Sequence, residues 1–186
     1  MKDVVDGRVN RDNIPRFLKR YANWVCWKGS KVPINPKTGE WASVKEPDTW
    51  TDFKTAHRAY LRLRCDGLGF VFTPEVQLCG VDLDHCRDIN TGEVTRWALK
   101  IVKRMRSYSE ISPSGTGLHI IAQGKLPLTR MKGKRAEIFC QAGYLTVTGW
   151  HLRQTPREVR KRQDELWDLY AEVRGVPGMR PLFPRA

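Results

Sequence analysis

Residues 78–86 read LCGVDLDHC, a short apolar run with two carboxylates set one residue apart inside it. Side chains alternate faces along a strand, so Val81 and Leu83 point one way while Asp82 and Asp84 point the other, together. Carboxylates held that close repel, and neither stays ionised without compensation. A divalent ion supplies it: Mg²⁺ and Mn²⁺ take oxygen ligands, and two such ions about 3.5–4 Å apart stabilise both the attacking and the leaving oxygen of a phosphoryl transfer. In the plainer alternative Asp84 caps the following turn and Asp82 faces solvent on an edge strand.

Around this stretch the chain is basic. Thirty-three Lys and Arg against twenty Asp and Glu give a formal charge of +13 over 186 residues. A field of that sign attracts polyanions, nucleic acid foremost. The cations cluster in LKIVKRMR (99–106), TRMKGKR (129–135) and REVRKR (157–162), which makes Lys103, Arg104, Arg106, Arg130 and Lys134 candidate nucleic-acid contacts. Five cysteines, odd in number and without a CxxC pair, argue against a disulfide framework or a zinc knuckle and for free thiols in a reducing cytosol. No apolar run approaches the roughly 20 residues of a membrane span, and the first residues lack a signal-peptide stretch. A cytoplasmic protein is expected.

Periodicity sets the organisation. IPRFLKRYANWVCW (14–27) leads a short helix into a strand, and a turn-rich segment with PKTG at 36–39 follows. Phe53, Ala56, Tyr60 and Leu63 are spaced as one face of a helix behind Thr49 and Thr51 as caps. GLGFVFT (67–73) and LCGVDLD read as two strands about a short turn, and 91–106 as a helix with Trp97, Ile101 and Met105 on its apolar stripe. SYSEIS, GLHIIAQG, RAEIFC and GYLTVTG are further strands separated by Gly, Pro or Lys-rich turns. In TPRE (155–158), Thr155 and Pro156 predict the start of a last helix running to Gly175. Few helices among hairpin-linked strands predict an α/β (α+β) fold with a largely antiparallel sheet.

Two more stretches carry chemistry. SPSGTGLHI (112–120) sets Ser114, Gly115 and Gly117 before a strand that begins near His119, a loop able to turn backbone N–H groups toward an anion. The alternative is a tight hairpin with a buried, hydrogen-bonded histidine. In KRAEIFC (134–140), Glu137 follows Lys132, Lys134 and Arg135, so it can complete a metal site while the cations meet phosphate, or be a salt-bridged strand carboxylate.

The order of these motifs resembles the archaeo-eukaryotic primase superfamily, and within it the primase-polymerase domains of phages and plasmids. KVPINPKTGEWASVKEPDTWTDFKTA (31–56), DGLGFVFT (66–73) and SYSEISPSGTGLHI (107–120) look like that family's motifs in order and spacing. The resemblance covers roughly residues 20–150. It implies an RRM-like catalytic sheet joined to an additional α/β unit, with a primase-polymerase domain over 1–150, a C-terminal helix over 151–175 and a linker or tail over 176–186. It also implies that Asp82, Asp84 and Glu137 hold two Mg²⁺ or Mn²⁺ ions, that these acids and His119 are catalytic, and that Ser114, Gly115, Gly117, His119, Lys132 and Arg135 bind the nucleotide. Partners implied are a single-stranded DNA template and primer, dNTPs or NTPs, and a helicase domain or protein. The chain departs from the family in EIFCQAGYLTVTG (137–149), where Cys140 stands in place of an aspartate and Gly143 in place of an arginine. Those departures keep open a single-strand-binding module without catalysis; a second rival, a metal-dependent nuclease or replication initiator, can also use acidic residues and histidine on an RRM-like sheet.

Overall fold

Residues 8–127 and 129–176, which this computed structural model describes, form two antiparallel sheets and three α-helices. The first sheet has the order β2 (Val32–Ile34), β1 (Trp24–Lys28), β3 (Gly67–Val71), β9 (Tyr144–Val147). The second has the order β5 (Tyr108–Ile111), β6 (Leu118–Gln123), β4 (Leu78–Leu83), β8 (Ala136–Phe139), β7 (Arg130–Lys132). Helix α1 (Phe53–Arg62) packs on β1 and β3, while α2 (Arg96–Met105) and the C-terminal α3 (Gln163–Arg174) pack on the second sheet.

The fold class is α+β, as the hairpin-rich pattern predicts. Counting only β4, α2, β5, β6 and β8, the chain runs strand, helix, strand, strand, strand, and its spatial order is that of a ferredoxin-like or RRM-like sheet, with the first strand central. The first sheet with α1 is the additional α/β unit.

Alternation along β4 explains why both faces of the second sheet are covered. Cys79, Val81 and Leu83 join Leu118, Ile120, Ala136 and Ile138 in a core closed by Ala98, Ile101, Val102 and Met105 of α2 and by Leu166 and Leu169 of α3. Those α2 residues recur every three or four positions, one stripe of an amphipathic helix. On the opposite face Leu78, Tyr108, Ile121 and Phe139 join a second core shared with the first sheet and α1. That second face is therefore apolar at one end and carries Asp82, Glu110, His119 and Glu137 at the other.

Several expectations are corrected. The runs 67–73 and 78–84 do not pair with each other; β3 and β4 lie in different sheets. The chain crosses between the sheets at 72–77 and again at 140–143, where Phe72 N donates to Gly143 O at 3.0 Å. The last helix starts at Gln163, not Thr155. Backbone pairing wins over the local cap signal there: Tyr108 N donates to Glu158 O, Gln123 N to Arg160 O and Arg162 N to Gln123 O. Helix α1 is capped by Asp52, whose carboxylate is held below its ordinary pKa by the Thr55 hydroxyl, donating at 2.7 Å, and by Thr55 N at 3.0 Å. A strand, β7, occupies Lys-rich TRMKGKR. Cys79 and Cys140 are joined in a disulfide, because the register that pairs Gly80 with Phe139 brings them opposite at the next position. Cys26, Cys65 and Cys86 are free and buried. No helix among the described residues is long and apolar enough to cross a membrane. The proline-rich stretch 177–186 lies outside the described residues.

Gly80 marks the tightest contact between the sheets. A Cβ there would stand 2.6 Å from Phe72 Cζ and 3.1 Å from Leu145 Cδ2. Both rings and chains are buried, so Gly80→Val is expected to cost about 1–3 kcal/mol of stability, read by urea unfolding.

Candidate active site

Directly opposed residues in an antiparallel ladder share a face, with Cβ atoms about 4.5–5.5 Å apart. The register places Glu110 of β5 opposite His119 of β6, His119 opposite Asp82 of β4, Asp82 opposite Glu137 of β8, and Glu137 opposite Lys132 of β7. One row of five ionisable side chains thus crosses the whole sheet. His119 and Glu110 are fully buried, while the side chains of Asp82 and Glu137 keep 15% and 8% exposure.

Each member has identifiable neighbours. His119 Nε2 lies 3.6 Å from Asp82 Oδ1, and His119 Nδ1 lies 3.4 Å from Glu110 Oε1. Glu110 accepts from Thr148 N at 2.9 Å, from Gly149 N at 2.8 Å and from the Tyr108 hydroxyl at 2.7 Å. Burial, and then the Glu110 charge, push the Tyr108 phenol well above its ordinary pKa, so it stays a donor. Glu137 is ion-paired and hydrogen-bonded with Arg130, whose guanidinium is raised above its ordinary value chiefly by that bond. Asp84 lies one residue past the end of β4 and is exposed; its N–H donates to Arg135 O at 3.1 Å. Among the described residues no three His, Cys, Asp or Glu side chains gather closely enough to hold a metal ion.

The SPSGTG loop joins β5 to β6. Gly115 bends it with φ +76°, Ser112 N donates to Gly117 O at 3.0 Å, and Ser112 Oγ, Ser114 Oγ and Thr116 Oγ1 form a hydroxyl chain at 3.0 and 2.9 Å. The N–H groups of Gly115, Thr116 and Gly117 are all taken by Ser112 or Ser114 oxygens. Ser114 is the exposed residue of that chain, with its hydroxyl engaged by Ser112, Thr116 Oγ1 and Thr116 N. Beneath it, Cys86 N and Arg87 N both donate to Thr116 O, and the buried Arg87 guanidinium donates to Gly115 O at 2.8 Å. Burial pushes the Cys86 thiol up to about 12, so it stays protonated and inert.

No protein-family model matches the chain. A DNA primase-polymerase from Nitratiruptor phage NrS-1 is 37% identical over 169 residues, an alignment taking in 86% of this chain. Over most of its length the chain is thus similar to a phage primase-polymerase. It spans 22% of the length of that relative.

The structure brings Asp82, His119, Glu137 and Lys132 together and sets Ser114, Gly115 and Gly117 at the loop beside them. The α2 cations fall elsewhere. Lys103, Arg104 and Arg106 belong to the helix that covers the other face of the sheet, and Arg104 pairs with Glu172 of α3 at 2.8 Å. Arg135 stacks at 5.7 Å over Trp97 of α2, and Lys134 is exposed in the turn before β8. Glu110 and Arg87 escape a motif reading. The signal for Glu110 lay in counting outward from the loop: with Ile111 paired to Leu118, the next pair is Glu110 with His119.

Arg87→Ala removes the buried donor under the loop and leaves Gly115 O unpaired. It is expected to lose about 1–3 kcal/mol in urea unfolding and to speed amide exchange at Gly115 and Gly117.

Proposed function

We propose that this chain carries the nucleotidyl-transfer site of a primase-polymerase, adding dNTPs or NTPs to a strand on a single-stranded DNA template in phage or plasmid replication. What carries the proposal is the register that sets His119, Asp82 and Glu137 side by side, in a chain that resembles a phage protein named for this activity. The 3′-hydroxyl of a primer, or of a first nucleotide, attacks the α-phosphate of the incoming triphosphate and pyrophosphate leaves.

Asp82, Asp84 and Glu137 would hold two Mg²⁺ or Mn²⁺ ions. The fit rests on hard oxygen donors facing each other from adjacent strands, and on a cation, Arg130, already drawn to Glu137. When bound, such ions lower the pKa of the attacking hydroxyl and neutralise charge on the triphosphate and the leaving pyrophosphate. Arg130 then has to leave Glu137 and becomes a cation for phosphate, alongside Lys132 and Arg135. His119 Nε2 and the Ser114 hydroxyl meet the triphosphate, and Gly115 and Gly117 give the loop its turn. Template phosphates follow the basic surface that the net charge of +13 supplies, including Lys134 in the turn before β8, while Lys103, Arg104 and Arg106 lie at the helix over the other face. A cavity of about 370 Å³ lined by Trp27, Tyr60 and Trp150 adjoins the same loop at Pro113, and its rings offer stacking surfaces for bases. A helicase acting with this domain, in the host cytoplasm, completes the replication role.

A second reading has one observation in its favour. With Glu137 held by Arg130, and with Cys140 and Gly143 in place of the family's acid and arginine, the sheet would serve as a single-strand-binding module.

Labelled dNTP and NTP incorporation on single-stranded DNA, with and without primer, separates the two. Template-dependent product is expected with Mg²⁺ or Mn²⁺, abolished by chelation and reduced about a hundredfold or more in Asp82→Asn. Tight DNA binding without product under any of these conditions supports the binding module.

A further inference from the structure

Burying a carboxylate costs several kcal/mol unless donors surround it. Glu110 is fully buried, and three donors unrelated to the candidate chemistry already meet it: Thr148 N, Gly149 N and the Tyr108 hydroxyl. The fourth neighbour is His119 Nδ1 at 3.4 Å. The oxygen that faces the ring, Oε1, already accepts from Thr148 N, so a hydrogen on Nδ1 would complete that contact. At the other side of the ring, Nε2 is buried, lies 3.6 Å from Asp82 Oδ1, and has no hydrogen-bond partner. Buried polar atoms are seldom left so, and here the unpaired atom lies in the row of candidate catalytic groups.

We propose that Glu110 is the positioning residue for His119, holding the ring by Nδ1 so that Nε2 is the nitrogen presented beside Asp82 to the incoming triphosphate. This rests on the nucleotidyl-transfer proposal for the ligand, but not for the geometry. The same carboxylate fixes the ring against both sheets. Thr148 and Gly149 follow β9 of the first sheet, Thr148 Oγ1 donates to Ile111 O at 2.7 Å, and Ile111 N donates to Trp150 O at 2.8 Å. The ring is thus referenced to β5 by cross-strand register and to β9 through Glu110. A small rotation between the sheets would move Nε2, which makes the segment TVTG part of the positioning device.

The test combines ring ¹⁵N NMR of His119 with a double-mutant cycle. In the wild-type chain Nδ1 is expected to carry a slowly exchanging proton; an unprotonated Nδ1 would overturn the proposal outright, whatever the enzyme's activity. Glu110→Gln keeps the size but offers an amide to Nδ1, and is expected to change the ring-nitrogen signature and lower incorporation about 10–100-fold. In a His119→Ala background Glu110→Gln should have no further effect on incorporation, as groups acting through one another do not add. An equal loss in both backgrounds, or unchanged ring signals in Glu110→Gln, would reduce Glu110 to a clamp between the sheets. Tyr108→Phe, which removes one donor to Glu110 but not the ring contact, is expected to lower the melting temperature while leaving the His119 signature as in wild type. Should the chain prove inactive, the NMR arms still decide whether Glu110 positions the ring.

Discussion

The register of β4 between β6 and β8 is the constraint on which the rest depends. A strand's side chains repeat every two residues, so a slip of one position would carry Asp82 into the α2 core and bring Val81 out among the charged groups. What pins the register is apolar: Val81 and Leu83 are fully buried beside Ile120, Leu118, Ile138 and Ala136, facing α2 and α3. The Cys79–Cys140 disulfide locks β4 to the exit of β8 at the position next to Gly80 and Phe139. The candidate site is thus held by packing on the face that takes no part in its chemistry.

The opposite face shows how one strand serves two ends. Leu78, Ile121 and Phe139 close against the first sheet, while the same strands carry His119 and Glu137 two residues away and Asp82 four residues from Leu78. Gly80, the residue between Leu78 and Asp82 on that face, has no side chain, and Phe72 fills the space. The first sheet supplies a wall and, through Thr148 and Gly149, the anchors of Glu110. The electrostatics follow the same division. Glu137 is paired with Arg130 of the neighbouring strand β7, whereas Arg104 is occupied in joining α2 to α3.

What could be read from sequence was local and periodic. The strand around DLD, the apolar stripe of α2 and the loop SPSGTG before His119 are set by alternation, helical spacing and glycine, and the structure contains each. Partners across the sheet were harder. That β3 and β4 lie in different sheets follows from which faces need cover, which adjacent sequence does not express. TPRE carries a good local helix start, yet Glu158 pairs with Tyr108 and the next residues, Arg160 and Arg162, pair with Gln123, and these tertiary hydrogen bonds outweigh a cap worth about 1 kcal/mol. Cysteine counting cannot find a single cross-strand pair, because only register brings Cys79 to Cys140. Glu110 was hidden for the same reason: it sits in SYSEIS as one acid in a strand, and only the hairpin count reveals His119 opposite. The family resemblance named Asp82, His119 and Glu137, and the structure sets them side by side.

The most direct test of that row as the site is paramagnetic relaxation by Mn²⁺ in the ¹⁵N-labelled chain with a dNTP present, which reports position without requiring turnover. The account predicts the strongest broadening at Asp82, Asp84, Glu137 and His119, fading along β4 toward Leu78 and abolished by Asp82→Asn. Broadening centred elsewhere, or unchanged by that substitution, would contradict it.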